Sequence, residues 1–134
     1  MFSYVTLGSN DLSRSIRFYD PVMAALGHRR CTEGGVTEWF EWAGWGTYEA
    51  GGNIELALWV CKPFDNRKAT AGNGTMIAFE APSRAAVDDF HHAALEFGGR
   101  SEGEPGVRPH YGPTFYVAYV RDPDGNKLAA VCRK

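Results

Sequence analysis

Residues 4–27 have the sequence YVTLGSNDLSRSIRFYDPVMAALG, which encodes one strand followed by one amphipathic helix. Residues 5–8 alternate in polarity, as expected of a half-buried strand. Asp11 supplies an N-cap for the helix, and Gly27 is placed to end it in the left-handed conformation. The apolar residues between these two signals recur at helical spacing and form one stripe: Leu12, Ile16, Tyr19, Met23 and Leu26.

The same pattern returns 72 residues later in the chain. Residues 77–79 again form a short strand pattern, and Ser83 takes the capping position that Asp11 held. A second apolar stripe follows, and Gly98-Gly99 repeats the helix stop, with Gly99 at the position equivalent to Gly27. A duplicated structural unit explains this correspondence.

Strand patterns follow each helix. In the first half, residues Gly34-Gly35 and Gly51-Gly52 supply turns, and in the second half the segment 122–126, DPDGN, is a strong hairpin signal. We predict that this segment is a hairpin turn with no further role. The predicted strands lie at about 36–42, 46–48 and 53–60, and then at about 100–103, 114–121 and 127–131.

The chain is predicted to be one domain, because 134 residues are close to the commonest domain size. Module 1 spans about 1–61 and module 2 about 75–134. The segment between them, about 62–74, is the least regular part and is rich in Gly and Pro, so we predict a linker there.

Composition excludes several classes of partner. The net charge is −2 and Lys and Arg are scattered singly, which disfavours nucleic acid. No apolar run approaches the roughly 20 residues of a membrane span, and the N-terminus lacks a signal-peptide pattern. Three widely spaced cysteines with no CxxC fit a reducing compartment, so a cytoplasmic location is expected.

The order βαβββ twice, with NDLSRSIRFYD in the first helix and RDPDGNKL before the last strand, resembles the vicinal oxygen chelate superfamily. That group includes glyoxalase I, bleomycin-resistance proteins and extradiol dioxygenases. The resemblance implies an α+β fold of two tandem βαβββ modules, whose mixed sheets curve around a shared cavity with the helices on the outer faces. It also implies a homodimer.

In metal-dependent members of this superfamily, four strand residues bind one divalent cation in the cavity. The resemblance places those positions on Tyr4, Glu55, Met76 and Ala129. Only Glu55 is an ordinary ligand, because a thioether binds hard cations poorly and alanine has no donor atom. We therefore expect no metal and no other cofactor.

Alternation along the strands assigns Tyr4, Thr6, Trp59, Met76 and Ala129 to the face that lines the cavity. Ligand pockets are mostly apolar with a few polar groups, as this set is. The loop 103–113 adds Arg108 and Tyr111, and the aromatic group near the eighth strand adds Tyr116, so the predicted ligand-binding residues are Tyr4, Thr6, Trp59, Met76, Arg108, Tyr111, Tyr116 and Ala129. Glu55 and His110 are the candidate acid–base groups.

Three functions remain open at this point. The first is a glyoxalase/bleomycin-resistance-like protein that binds a small organic molecule at a degenerate metal site. The second is an enzyme, either a lactoylglutathione-lyase-like lyase or isomerase working without the usual metal, or a dioxygenase-like protein. The third is a non-catalytic domain that uses the fold for dimerisation or another interaction. Loss of the metal ligands favours the first.

Overall fold

The structure is a computed structural model that describes residues 1–36, 41–48 and 55–134, except for the side chains of 32–36 and 55. The first βαβββ unit comprises β1 (Tyr4–Gly8), α1 (Leu12–Ala25), β2 (Arg30–Val36), β3 (Glu41–Tyr48) and β4 (Glu55–Cys61). The second comprises β5 (Ile77–Glu80), α2 (Arg84–Glu96), β6 (Arg100–Val107), β7 (Tyr116–Arg121) and β8 (Lys127–Cys132). The predicted duplication and the α+β class are confirmed.

Each unit forms one four-stranded mixed sheet. Sheet A has the strand order β1-β4-β3-β2 and sheet B the order β5-β8-β7-β6. In both, the first strand of the unit pairs in parallel with the last, and the remaining pairs are antiparallel. Strands β1 and β5 therefore occupy equivalent edges of their sheets.

The largest difference from the predicted strands lies after α1. The predicted turn Gly34-Gly35 is instead part of β2, where Gly34 pairs with Ala43 and Gly35 with Trp42. A register shift between Arg30 and Gly34 accounts for the glycines, because glycine in a strand favours a bulge. The predicted strands at 36–42 and 46–48 are replaced by β2 and β3, while residues 37–40 and the predicted turn Gly51-Gly52 lie outside the described residues.

Both helices begin as the sequence predicts. The Asp11 side chain accepts a hydrogen bond from Arg14 N, and the Ser83 hydroxyl accepts one from Ala86 N. The predicted stop Gly98-Gly99 lies at the end of α2, but Gly98, with φ +99°, and not Gly99, takes the left-handed position that Gly27 takes at φ +85°. None of the helices in the described ranges is long and apolar enough to cross a membrane.

One hydrophobic core runs through both modules. Helices α1 and α2 contact each other, and each covers one face of its own sheet. The largest fully buried side chains come from both helices and both sheets, among them Trp45, Tyr19, Phe18, Phe90, Met23 and Leu128. Burial of these apolar groups is the main stabilising contribution to the fold.

The hairpin turn 122–126 joins the two modules, so the prediction that it has no further role is wrong. Its buried Asp122 accepts a hydrogen bond of 2.6 Å from the Tyr19 hydroxyl of α1. Asn126 Nδ2 donates both to Asp122 Oδ2 and to the Gly8 carbonyl at the end of β1. Asp124 binds Arg14 Nη2 at 2.8 Å and the backbone N–H of Asn10 at 3.0 Å.

Candidate functional site

Each sheet has one face covered by its helix and one face that is not, which we call the open face. Val5, Leu7, Leu58 and Val60 of sheet A belong to the core beneath the helices, as Ile77, Phe79, Leu128, Ala130 and Cys132 of sheet B do. Alternate residues therefore lie on the open faces, because successive side chains of a strand point to opposite sides. The predicted phase of alternation is confirmed for these residues, although Leu56 of β4 is 60% exposed.

The open face of sheet A carries three of the predicted ligand-binding residues. Tyr4 is 56% exposed, Thr6 is exposed and Trp59 is half-buried. Thr6 and Trp59 are neighbours across the parallel pair of β1 and β4. The Trp59 ring packs over Gly44, where a Cβ atom would overlap the indole, and contacts Tyr48 edge-on at 5.6 Å between ring centroids. This half-exposed indole is a surface on which an organic ring would stack.

Glu55 begins β4 and lies opposite Tyr48 in the antiparallel pair with β3. That register places it on the same face as Ala57 and Trp59. Its side chain lies outside the described part of the chain, so its catalytic role stays a prediction.

A groove of about 360 Å³ lies between the edge strands β1 and β5 and receives residues from both modules. Tyr4 and the 44%-exposed Met76 line it, together with Ala78. Met23, His28 and Trp45 line the side nearer the helices. Tyr4 and Met76 are thus brought together, while Thr6 lines a separate groove of about 480 Å³ near Phe64 and Lys68.

The open face of sheet B carries a second apolar cluster. Val117, Ala129 and Val131 are buried there, and the half-buried rings of Phe115 and Tyr119 pack against them. Tyr119 lies directly opposite Ala129 in the β7–β8 pair. Ala129 is only 1% exposed, so it lies beneath the rings, and a ligand would contact Phe115 and Tyr119 first.

Cationic side chains lie over these two rings. The Arg108 guanidinium carbon is 5.7 Å and the Lys127 ammonium nitrogen 5.5 Å from the centroid of Tyr119. Arg133 lies over Phe115 at 5.2 Å. All three distances are within the range of cation–π attraction.

The loop between β6 and β7 places Tyr111 and His110 beside this face. Tyr111 is 64% exposed, and its ring contacts Phe115 at 5.2 Å and His110 at 4.1 Å. The loop is closed by backbone hydrogen bonds from Arg108 to Phe115 and from Tyr111 to Arg108. His110 is therefore an exposed group at the margin of the open face, and its acid–base role stays a prediction.

Tyr116 lies on the opposite side of sheet B from Ala129. Its hydroxyl donates to Asp88 of α2 at 2.6 Å, and Arg84 of α2 lies over its ring at 5.1 Å. The hydrogen bond to Asp88, with some burial, raises the pKa of Tyr116. Because it faces the helix, Tyr116 is not placed to meet a ligand on the open face.

The four positions that the superfamily resemblance assigns to a metal carry only one residue of an ordinary ligand type, Glu55. Tyr4 presents a phenol, Met76 a thioether and Ala129 a buried methyl group, which leaves Glu55 alone. Among residues whose side chains the structure describes, no three His, Cys, Asp or Glu come close enough to share an ion.

Tyr119, Phe115 and Lys127 are the residues of this face that sequence reasoning did not select as a site. Lys127 lies two residues before Ala129, so alternation assigns it to the same face. Alternation alone does not predict its contact with the Tyr119 ring. The partner of Ala129 depends on the register across the 122–126 turn, where Arg121 pairs with Lys127 and Tyr119 with Ala129. Counting outward from that turn is the signal that would have found Tyr119.

Comparison with known proteins agrees with this architecture. The family model Glyoxalase/Bleomycin resistance protein/Dioxygenase superfamily matches residues 2–130. A glyoxalase/bleomycin resistance protein from Albidiferax ferrireducens T118 is 35% identical, over 100% of this chain and 99% of its own, with a TM-score of 0.79. No curated protein sequence matches the chain.

Two more distant structures share the fold. A glyoxylase/bleomycin resistance protein/dioxygenase domain from Frankia sp. EAN1pec has a TM-score of 0.72 at 19% identity, over 100% of this chain and 98% of its own. Glyoxalase I from Zea mays has a TM-score of 0.69 at 24% identity, over 98% of this chain but 45% of its own.

Proposed function

Because this chain belongs to the Glyoxalase/Bleomycin resistance protein/Dioxygenase superfamily, we propose that it binds a small organic molecule on the open faces of its sheets, without a divalent metal. A homodimer, a cavity enclosed by both sheets and a cytoplasmic location stay predictions. The proposal concerns binding, because the described residues offer no set of groups that assigns a reaction.

One observation carries the proposal, namely the apolar cluster on the open face of sheet B. A sheet face exposed only to water usually carries polar residues. On this face, however, Val117, Ala129 and Val131 are apolar and lie under two aromatic rings. The part of this cluster that a ligand could reach is the half-buried pair of rings, Phe115 and Tyr119, and aromatic surfaces of this kind favour ligand binding. Sheet A adds the half-exposed indole of Trp59 and the exposed ring of Tyr4.

We expect fragment-sized aromatic molecules to bind at these faces in the full chain. The measurement is a fragment screen by NMR, with hits mapped on the indole N–H of Trp59 and the rings of Tyr4 and Tyr119. A blocking variant, Thr6→Trp, adds a large side chain beside Trp59 on the open face and is expected to weaken sheet A hits about 10-fold, since an overlapping ring excludes the ligand.

The matched control is Ala85→Trp, which places the same side chain at an exposed position of α2. It is expected to leave binding unchanged. A screen in which no fragment shifts the open-face signals, or in which both variants weaken hits equally, contradicts the proposed site.

We expect the purified chain to hold no stoichiometric divalent metal. The protein is prepared without a metal-affinity step, dialysed against nickel, zinc, manganese or iron(II), and its metal content is measured by elemental analysis. A phenol, a thioether and a methyl group at three of four positions leave too few donors. Stoichiometric metal that is lost in Glu55→Ala would refute this and favour the lyase or dioxygenase alternative.

A further inference from the structure

We propose that Arg108 and Lys127, gathered at the ring of Tyr119, bind a carboxylate or phosphate oxyanion, so that the ligand is an anionic organic molecule. This inference rests on the proposed function and adds the charge class of its ligand.

Two like charges converge on one part of the open face. Arg108 and Lys127 each lie within 6 Å of the Tyr119 centroid, at 5.7 and 5.5 Å. The ring attracts each cation, but the two cations repel each other. An oxyanion bound near both cations attracts each of them and offsets their mutual repulsion. The guanidinium fork also matches the geometry of carboxylate and phosphate oxygens.

Neither Arg108 nor Lys127 forms an ion pair with a carboxylate among the side chains that the structure describes. The Arg108 Nη2 atom donates to the backbone carbonyl of Glu104 at 2.7 Å, which leaves its charge unpaired. The charge of Lys127 helps to lower the pKa of Glu102, but the Glu102 Oε1 atom already accepts a hydrogen bond from Arg121 Nε at 3.0 Å. Glu80, the other carboxylate on this face, lies on β5 at the opposite edge of sheet B.

Two glycines of β6 make room for this arrangement. A Cβ atom at Gly103 would lie 2.8 Å from the Tyr119 ring and 3.3 Å from Arg108 Nη2, and one at Gly106 would lie 3.1 Å from Arg108 Nη1. The β6–β7 register shifts on both sides of Gly103, as expected where a bulge redirects side chains. The guanidinium thus lies against the glycine backbone of β6, the strand that Arg108 directly follows, which limits its freedom before any ligand arrives.

The covered face of the same sheet offers a direct comparison. There Arg84 lies over Tyr116 at 5.1 Å, but the Tyr116 hydroxyl is bonded to the Asp88 carboxylate at 2.6 Å. That pair of cation and ring is balanced by an anion from the chain itself. At Tyr119 two cations share the ring, and neither forms an ion pair with a described carboxylate, so an external anion can balance them instead.

The test titrates the full-length chain, labelled with ¹³C-tyrosine, with benzoate, phenyl phosphate and the neutral isostere benzamide. Signals of the Tyr119 ring are assigned with Tyr119→Phe. We expect an anionic probe to bind about 10-fold more tightly than benzamide, and Arg108→Gln or Lys127→Gln to remove about 5- to 10-fold of that affinity. Lys127→Arg should restore binding, and Arg84→Gln, the matched control, should leave it unchanged.

Each result has a defined meaning. A preference for benzoate over phenyl phosphate assigns the carboxylate, and the reverse assigns the phosphate. Benzamide binding as tightly as both anions, or cation variants that bind like the unmutated chain, overturns the anion site while leaving the organic-ligand proposal standing. If no probe shifts Tyr119 and no fragment shifts the other open-face signals, both proposals fail. Thermal unfolding of each variant confirms that lost binding is not lost folding.

Discussion

Replacing Asp122 with alanine is expected to lower the free energy of unfolding by about 4 kcal/mol, because several buried donors lose their acceptor at once. The Asp122 carboxylate accepts from the Tyr19 hydroxyl at 2.6 Å, from Asn126 N and Nδ2 at 2.8 Å each, and from Asp124 N at 2.9 Å. Tyr19 is fully buried, so its hydroxyl has no water to replace the lost partner. The change thus weakens the contact between α1 and the second module.

Urea unfolding followed by tryptophan fluorescence measures this effect. The control is Asp65→Ala, which removes a carboxylate bonded to a single backbone N–H in an exposed turn and is expected to cost roughly 0.5 kcal/mol. Tyr19→Phe should cost about 2 kcal/mol and should add little to Asp122→Ala, since both remove the same bond. An Asp122→Ala loss no larger than that of Asp65→Ala would show that the turn does not hold the modules together.

The same carboxylate is expected to make stability depend on pH. Burial raises the pKa of Asp122, although the hydrogen bonds from Tyr19 and Asn126 partly oppose it. The folded chain then takes up the proton at a higher pH than the unfolded chain does. Its contribution to stability therefore rises as pH falls from the raised pKa towards about 4, and it is lost as pH rises through that window. Asp122→Asn, measured across the window, should remove this slope.

Replacing Gly99 with alanine is expected to lower the free energy of unfolding by about 3 kcal/mol through overpacking. A Cβ atom there would lie 2.6 Å from the Arg121 carbonyl oxygen, 2.6 Å from the Phe18 ring and 2.8 Å from the Ala94 carbonyl oxygen. Two of these neighbours are backbone atoms that cannot rotate away, and Phe18 is fully buried at the contact between the modules. Relief requires both the Phe18 ring and the backbone at Ala94 and Arg121 to shift.

Gly27→Ala is the matched control for this prediction. Gly27 has φ +85°, and no atom lies within 4 Å of the place that a Cβ would take, so alanine costs only the left-handed conformation, about 1 kcal/mol. Thermal unfolding of both variants separates the two causes. If Gly99→Ala unfolds at the same temperature as Gly27→Ala, then close packing at Gly99 is not the reason for the glycine.

These two positions mark how far a repeat in the sequence predicts the structure. The repeat correctly paired Asp11 with Ser83, because a cap acts through atoms three residues away in the same chain segment. It wrongly paired Gly27 with Gly99. Gly98 ends α2, and Gly99 is glycine because the carbonyl oxygens of Ala94 and Arg121 and the ring of Phe18, some 80 residues earlier, leave no space. Only the tertiary packing around each glycine distinguishes the two roles.

The sequence by itself determined the two βαβββ units, the helix starts and the faces of the strands, because local spacing and capping fix these features. It also assigned Tyr4, Thr6, Trp59 and Ala129 to the open faces. The tertiary structure decided what alternation cannot: that the turn 122–126 binds α1, that Tyr116 faces Asp88, and that Arg108 and Lys127 meet over Tyr119. Those contacts join residues from different strands and loops, and their distances depend on register and packing, which act only once the chain has folded.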